Sequence, residues 1–61
     1  MPIIEYNQDV KILSIRLQEK KSVDSDIQDN VVLDYDEEGK IVNIDIMNVK
    51  IEDLVRTIPK S

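Results

Sequence analysis

The residues best suited to chemistry in this chain are acidic side chains spaced around its single glycine. Asp34, Asp36 and Glu38 alternate up to Gly39, and Asp45 follows six residues after that glycine. This spacing matches a calcium-binding loop, in which oxygen ligands stand at the first, third, fifth and last positions around an obligatory glycine. One hypothesis is therefore a carboxylate site for a divalent metal or a small cationic ligand at Asp34, Asp36 and Asp45.

The segments around these acids favour a different interpretation, a solvated hairpin turn. A calcium loop of this kind lies between two helices, whereas Val31–Leu33 and 41–47 have the composition and alternation of strands. Asp45 is also shorter than the glutamate that binds calcium through both oxygens at the last position. Because a motif needs its structural context, the turn is the favoured interpretation, and no cofactor is expected.

Catalysis is not expected from the remaining side chains. The chain has no Cys and no His, which removes thiolate nucleophiles, zinc sites built from these residues, and imidazole bases. The serines therefore lack a histidine to activate them. With a single glycine, the chain also lacks a glycine-rich loop for phosphate. We expect a protein that is not an enzyme.

Charge and composition narrow the range of partners. Thirteen acidic and eight basic residues give a net charge of −5, and two tyrosines are the whole aromatic content. An acidic chain with scattered cations and few aromatic rings is unsuited to nucleic acid, so no nucleic-acid partner is expected. No apolar run approaches the roughly 20 residues that cross a bilayer, and the N-terminus does not resemble a signal peptide. We expect no membrane partner and a cytoplasmic location.

Size favours association with another chain. The 61 residues predict one domain, 1–61, and a chain of this length buries only about 60% of the surface that it exposes when unfolded. Small domains compensate with disulfides, a metal or oligomerisation. Since disulfides are impossible without Cys, a homo-oligomer or a complex with a protein partner is expected.

The hydrophobic pattern predicts the α+β class: a small antiparallel sheet of about four strands with one C-terminal amphipathic helix packed on one face. The strands are predicted at Ile3–Tyr6, Ile12–Leu17, Val31–Tyr35 and Ile41–Met47, and a weaker edge strand is indicated around Val23 and Ile27. The helix is predicted from the N-cap Asn48 to the stop at Pro59, with an apolar stripe at Ile51, Leu54, Val55 and Ile58.

The turn at 36–39 allows two registers for the hairpin. A three-residue loop with a bulge at Gly39 sets Leu33 opposite Asn43. A four-residue loop sets Leu33 opposite Val42, and of the two it alone places the apolar residues of both strands on one face. We therefore predict the four-residue loop. In the preceding turn, Asn30 suits a left-handed backbone.

Alternation divides the predicted sheet into two faces. The first face, which the helix is expected to cover, carries Ile4, Tyr6, Leu13, Ile15, Leu17, Val31, Leu33, Val42, Ile44 and Ile46. The second face carries Ile3, Ile12, Val32, Ile41 and Met47 among the polar residues Glu5, Ser14, Arg16, Asp34, Asn43 and Asp45. Because one helix cannot cover both faces, the second face is the predicted interface of an interaction module. The acidic charge also suits a basic partner such as a toxin.

Two segments carry a resemblance to a known family. They are Tyr6-Asn7 followed by Leu13, Ile15 and Leu17, and the run Leu33-Asp34-Tyr35-Asp36-Glu37-Glu38-Gly39 followed by Val42, Ile44, Asp45 and Ile46. Over roughly residues 3 to 49, the chain resembles small prokaryotic proteins catalogued as domain of unknown function 2283. Lys11 and Ser14 depart from the Asp and Tyr frequent in that family. The resemblance implies a shared fold and no activity.

Overall fold

Five strands and one short helix make up the part of the chain that the structure, a computed structural model, describes as residues 1–56. The elements are β1 (Ile3–Asn7), β2 (Ile12–Arg16), β3 (Asp24–Gln28), β4 (Val31–Tyr35), β5 (Ile41–Ile46) and α1 (Ile51–Arg56). The prediction of about four strands is too low, because the polar segment after Val23 forms a full edge strand. It pairs with β4 along its whole length.

The strands form one antiparallel sheet in the order β1-β2-β5-β4-β3. Three of the four pairings join strands that are consecutive in sequence. The fourth, between β2 and β5, joins the N-terminal hairpin to the meander β3-β4-β5. As a result, β5 lies at the centre of the sheet, and β1 and β3 are its edges.

The β4–β5 hairpin has neither of the two predicted registers. Its loop has three residues: the Asp36 N–H donates to the Lys40 carbonyl at 2.8 Å, and Gly39 adopts a φ of 80°. The four-residue loop is therefore wrong. A further bulge follows at once, since Tyr35 pairs with Ile41 but Leu33 pairs with Ile44. The extra residue in β5 restores the match between apolar residues, which the three-residue loop alone would have lost.

Two predictions about turn and cap residues, Asn30 and Asn48, are also wrong. The left-handed residue before β4 is Asp29, with φ 56°, and Asn30 instead donates its side-chain amide to the Met47 carbonyl at 2.8 Å. Asn48 has a φ of 60° and is not the N-cap, because α1 begins at Ile51. The Asp53 carboxylate reaches back to the Lys50 N–H at 3.3 Å. The Val55 side chain, Ile58 and Pro59 lie outside what the structure describes.

Burial in the sheet is confined to its centre. Of the side chains described in residues 1–54, Val42 is the buried apolar one, with 1% of its surface exposed. Its carbonyl accepts from the Leu17 and Gln18 N–H groups at 2.8 and 3.3 Å, so the bulge is held against the end of β2. The other apolar residues of β2, β4 and β5 are half-buried. A single sheet layer accounts for this, because such a layer can enclose little on its own.

Candidate functional site

The three acids of the predicted metal site do not lie together. Asp36 is at the hairpin tip, 4% exposed, and its Oδ1 accepts from the Glu38 and Lys40 N–H groups at 2.8 and 2.9 Å. Asp34 and Asp45 lie within the sheet, on the second face. Across residues 1–56, no group of three acidic side chains is placed to hold a metal ion.

Asp36 holds the turn together. Its backbone N–H and carbonyl pair with Lys40 and Gly39, and its side chain binds two further backbone N–H groups of the same turn. These bonds to the ionised form, the Lys40 bond foremost, lower the pKa of Asp36 below its ordinary value of 3.8 against the opposing effect of desolvation. Lys20 Nζ lies 3.9 Å from Asp36 Oδ2, so the β2–β3 connection is drawn toward the turn.

A polar ladder crosses the second face. Asn43 Nδ2 donates to Asp45 Oδ1 at 3.0 Å and to Asp34 Oδ2 at 3.4 Å. The ladder continues to both sides, because Ser14 donates to Asp45 at 2.6 Å and Ser25 donates to Asp34 at 2.7 Å. These five residues connect β2, β5, β4 and β3 side by side. The alternation that defined the second face had placed Asp34, Asn43, Asp45 and Ser14 there, but it gave no sign of Ser25.

The polar ladder divides the predicted second-face interface. Ile3 is 50% exposed and lies opposite Arg16 on the β1 edge. Val32 lies on β4, beside the exposed Ile27 of β3. The remaining members are Ile12 and Met47, near the far end of β2 and β5, and Ile41, which pairs with Tyr35 at the bulge. These five residues thus lie on or directly beside four strands of one sheet, and their role as an interface stays a prediction.

The first face is the continuous apolar surface of the sheet. Two rows of paired residues run across four strands: Tyr6, Leu13, Ile46 and Val31 in one, and Ile4, Ile15, Ile44 and Leu33 in the other. Ile4 is 66% exposed, and the other seven are half-buried. On β3 the rows end in Gln28 and Asp26. The sequence had already grouped the eight apolar residues, but as a core under the helix.

The segment before α1 is attached at one end of this face. The Tyr6 hydroxyl donates to the Val49 carbonyl, and the Val49 N–H donates to the Lys11 carbonyl at 2.9 Å. Tyr6 belongs to the first face, so the chain enters α1 beside the β1–β2 turn. Ile51, the first residue of α1, is 48% exposed.

Comparison with known proteins places the chain in a family. The family model described as "Protein of unknown function (DUF2283)" matches residues 3–50, which is well over half of the chain, and the protein belongs to this family. Neither a curated protein nor a solved structure gives a significant match. Within residues 1–56, no helix has the length and apolar character needed to cross a membrane.

Proposed function

We propose that this protein is a small interaction module whose first face is completed by a second protein layer. The observation that carries this proposal is the burial pattern: eight apolar residues lie in two continuous rows, yet Val42 is the buried apolar residue of the described sheet. Scattered exposed apolar residues are ordinary, whereas a contiguous apolar surface is typical of an interface. The proposed role is binding and not catalysis, in a cytoplasmic setting.

The exposed area of the chain supports this proposal. A folded monomer of 7.1 kDa is expected to expose about 4,100 Å², and this chain exposes 5141 Å². The difference, about 1,000 Å², belongs to the whole chain, and the proposed second layer over the first face would reduce it.

The C-terminal helix has a smaller part in this proposal. We propose that α1 packs its apolar stripe over the end of the first face beside Tyr6, where the Val49 contacts attach it. Six residues of helix are about 9 Å long, and five strands span about 19 Å. The helix leaves most of the face available to the second layer.

Neighbouring isoleucines provide a matched test of the first face. Ile3 and Ile4 are adjacent on the same edge strand, are 50% and 66% exposed, and point to opposite faces. We expect Ile4→Asp to weaken association at least tenfold, because it places a charge within the apolar rows. Ile3→Asp is expected to change it less than about threefold. Association is measured by sedimentation over a range of protein concentrations, with circular dichroism as the check on folding.

If Ile3→Asp weakens association more than Ile4→Asp does, the interface is the second face. Loss of association in Ile3→Asp and Val32→Asp, with Ile4→Asp unaffected, would support the five residues predicted from the sequence. If the wild-type protein stays monomeric at millimolar concentration and binds no basic partner protein, the interaction module itself is wrong. A basic partner is the heteromeric form of the proposal, since the chain carries a net charge of −5.

A cation-binding role is the second candidate. It is favoured by the approach of Asp34 and Asp45 to the same Asn43 amide, which brings two carboxylates together on the second face. Asp36 has no part in it, because its Oδ1 is used within the turn. Titration with calcium, magnesium and manganese tests this candidate. A melting temperature that rises in the wild type and not in Asp45→Asn would support it, and no rise at millimolar metal would remove it.

A further inference from the structure

Among the strand residues of the first face, the charged ones are confined to β3. Across β1, β2, β5 and β4, the residues in the two rows are uncharged, whereas β3 presents Asp24 and Asp26 on this face. The face therefore has an apolar area four strands wide and an acidic margin one strand wide. A second layer that matches it must be apolar over four strands and must keep negative charge away from β3.

We propose that the second layer is another copy of this chain, stacked face to face about a two-fold axis that runs parallel to the strands between β2 and β5. This inference rests on the proposed function and names the partner of the same surface. A copy of the chain offers an apolar area of the same width. The eight paired apolar residues of each chain meet in this stacking, and each chain exposes about 1,000 Å² more than a typical monomer of its mass.

The strand order determines which strands meet. With the axis between β2 and β5, β1 of one copy lies over β4 of the other, and β2 lies over β5. Ile4 of one copy then faces Leu33 of the other. Each β3 extends past the edge of the opposite sheet, so Asp24 and Asp26 remain in water.

The competing arrangement places the axis across the strands. Every strand then lies over its own copy, and the acidic margins of the two β3 strands meet. Four aspartates from the two copies would face one another between the sheets. Like charges held close in an interface are destabilising, more so where water is excluded. The acidic margin thus selects the arrangement in which β3 extends beyond the opposite sheet.

Distances between spin labels distinguish the two arrangements. The chain has no Cys, so Gln28→Cys provides a unique attachment site. Gln28 is exposed, neutral and on the first face of β3, and labelling it leaves Asp24 and Asp26 in place. With strands about 4.8 Å apart and sheets about 10 Å apart, the proposed stacking separates the two Gln28 Cα atoms by about 26 Å. The competing stacking brings them within about 18 Å.

Charge neutralisation gives a second, independent measurement. In the proposed arrangement Asp26 lies outside the contact, so Asp26→Asn should change the dimer Kd by less than about threefold. In the competing arrangement the same substitution relieves repulsion and should strengthen association about tenfold or more. Measuring both quantities guards against a label that disturbs packing.

Each outcome is decisive. A separation near 26 Å with an unchanged Kd in Asp26→Asn supports the inference. A dimer with the short separation overturns this stacking and leaves the proposed interaction module intact. A chain that is monomeric alone but binds a basic protein through Ile4 overturns the second copy as the partner, again without harm to the proposed function. A monomer that binds neither overturns both.

Discussion

At the scale of single residues, Asp36 was a candidate metal ligand in the sequence and is a hydrogen-bonded part of the turn in the structure. The spacing of the acids suggested a calcium loop, but two backbone N–H groups already occupy Asp36 Oδ1. A buried carboxylate persists where hydrogen bonds and a nearby cation compensate its desolvation. Lys20 supplies that cation at 3.9 Å.

The pKa of Asp36 predicts a specific dependence of stability on pH. Because the folded-state pKa lies below 3.8, the unfolded chain takes up the proton first as the pH falls. The contribution of Asp36 is therefore complete above pH 3.8 and is lost as the pH falls through the lower folded pKa. We expect Asp36→Asn to lower the urea midpoint near neutral pH, and the difference from wild type to shrink by about pH 2.5.

Glu37→Gln is the matched control for that experiment. It removes the same charge from an exposed side chain of the same turn, and its urea midpoint should follow the wild type at both pH values. A difference between Asp36→Asn and wild type that stays constant from neutral to acid pH would contradict the account of Asp36.

Gly39 predicts a purely conformational cost. Its φ of 80° lies in the left-handed region, and a Cβ added there would meet no atom within 4 Å. Gly39→Ala should therefore destabilise the protein by about 1 kcal/mol, from backbone strain alone. Gly39→Asn should cost less, since Asn tolerates positive φ. Equal losses for the two variants, measured by thermal unfolding, would show that a steric contact is involved.

At the scale of elements, the two bulges of the β4–β5 hairpin explain how the sheet keeps one apolar face. Gly39 supplies the first, and the shift between Asp34 and Tyr35 supplies the second. Each bulge adds one residue to one strand and so reverses which face the following side chains point to. Two bulges cancel this reversal, and the apolar residues of β4 and β5 stay on the same face. Val42 sits at the second bulge and is buried against the end of β2.

Val42 is consequently the most sensitive apolar position that the structure describes. Val42→Ala removes two buried carbon atoms and leaves a cavity, which predicts a loss of about 2 kcal/mol. Val23→Ala makes the same change at a side chain that is 60% exposed and should cost less than about 0.5 kcal/mol. Chemical denaturation of the two variants compares them directly. Similar losses would mean that the bulge is not the packed centre of the sheet.

At the scale of the whole molecule, stability and association are expected to be linked. If the first face is buried only in the dimer, folding gains free energy from association, and the melting temperature should rise with protein concentration. Two copies each carry a net charge of −5, so salt should strengthen the dimer by screening their repulsion. Scanning calorimetry at two protein concentrations and two salt concentrations tests both effects.

The variant Ile4→Asp is the control at this scale. It should melt at a temperature that does not depend on protein concentration, because the dimer is lost. If the wild type behaves in the same way, association contributes nothing to its stability.

The sequence by itself determined the local features of this protein. Alternation in Leu13–Leu17 and Val31–Tyr35 sets which residues share a face, since side chains alternate strictly along a strand. The turn residues around Gly39 located the hairpin for a similar reason, because few residues tolerate positive φ. Even the family could be identified from these segments.

Only the tertiary structure decided which distant strands pair and whether each face of the sheet is buried. The polar strand β3 has only a weak hydrophobic pattern, at Val23 and Ile27, and its full length is held by its pairing with β4. The hairpin register depended on a second bulge, whose position follows from the pairing of β5 with both β2 and β4. The same packing placed Asp36 in a turn, apart from Asp34 and Asp45. Alternation shows that two residues share a face, but the neighbouring layers determine whether that face is buried.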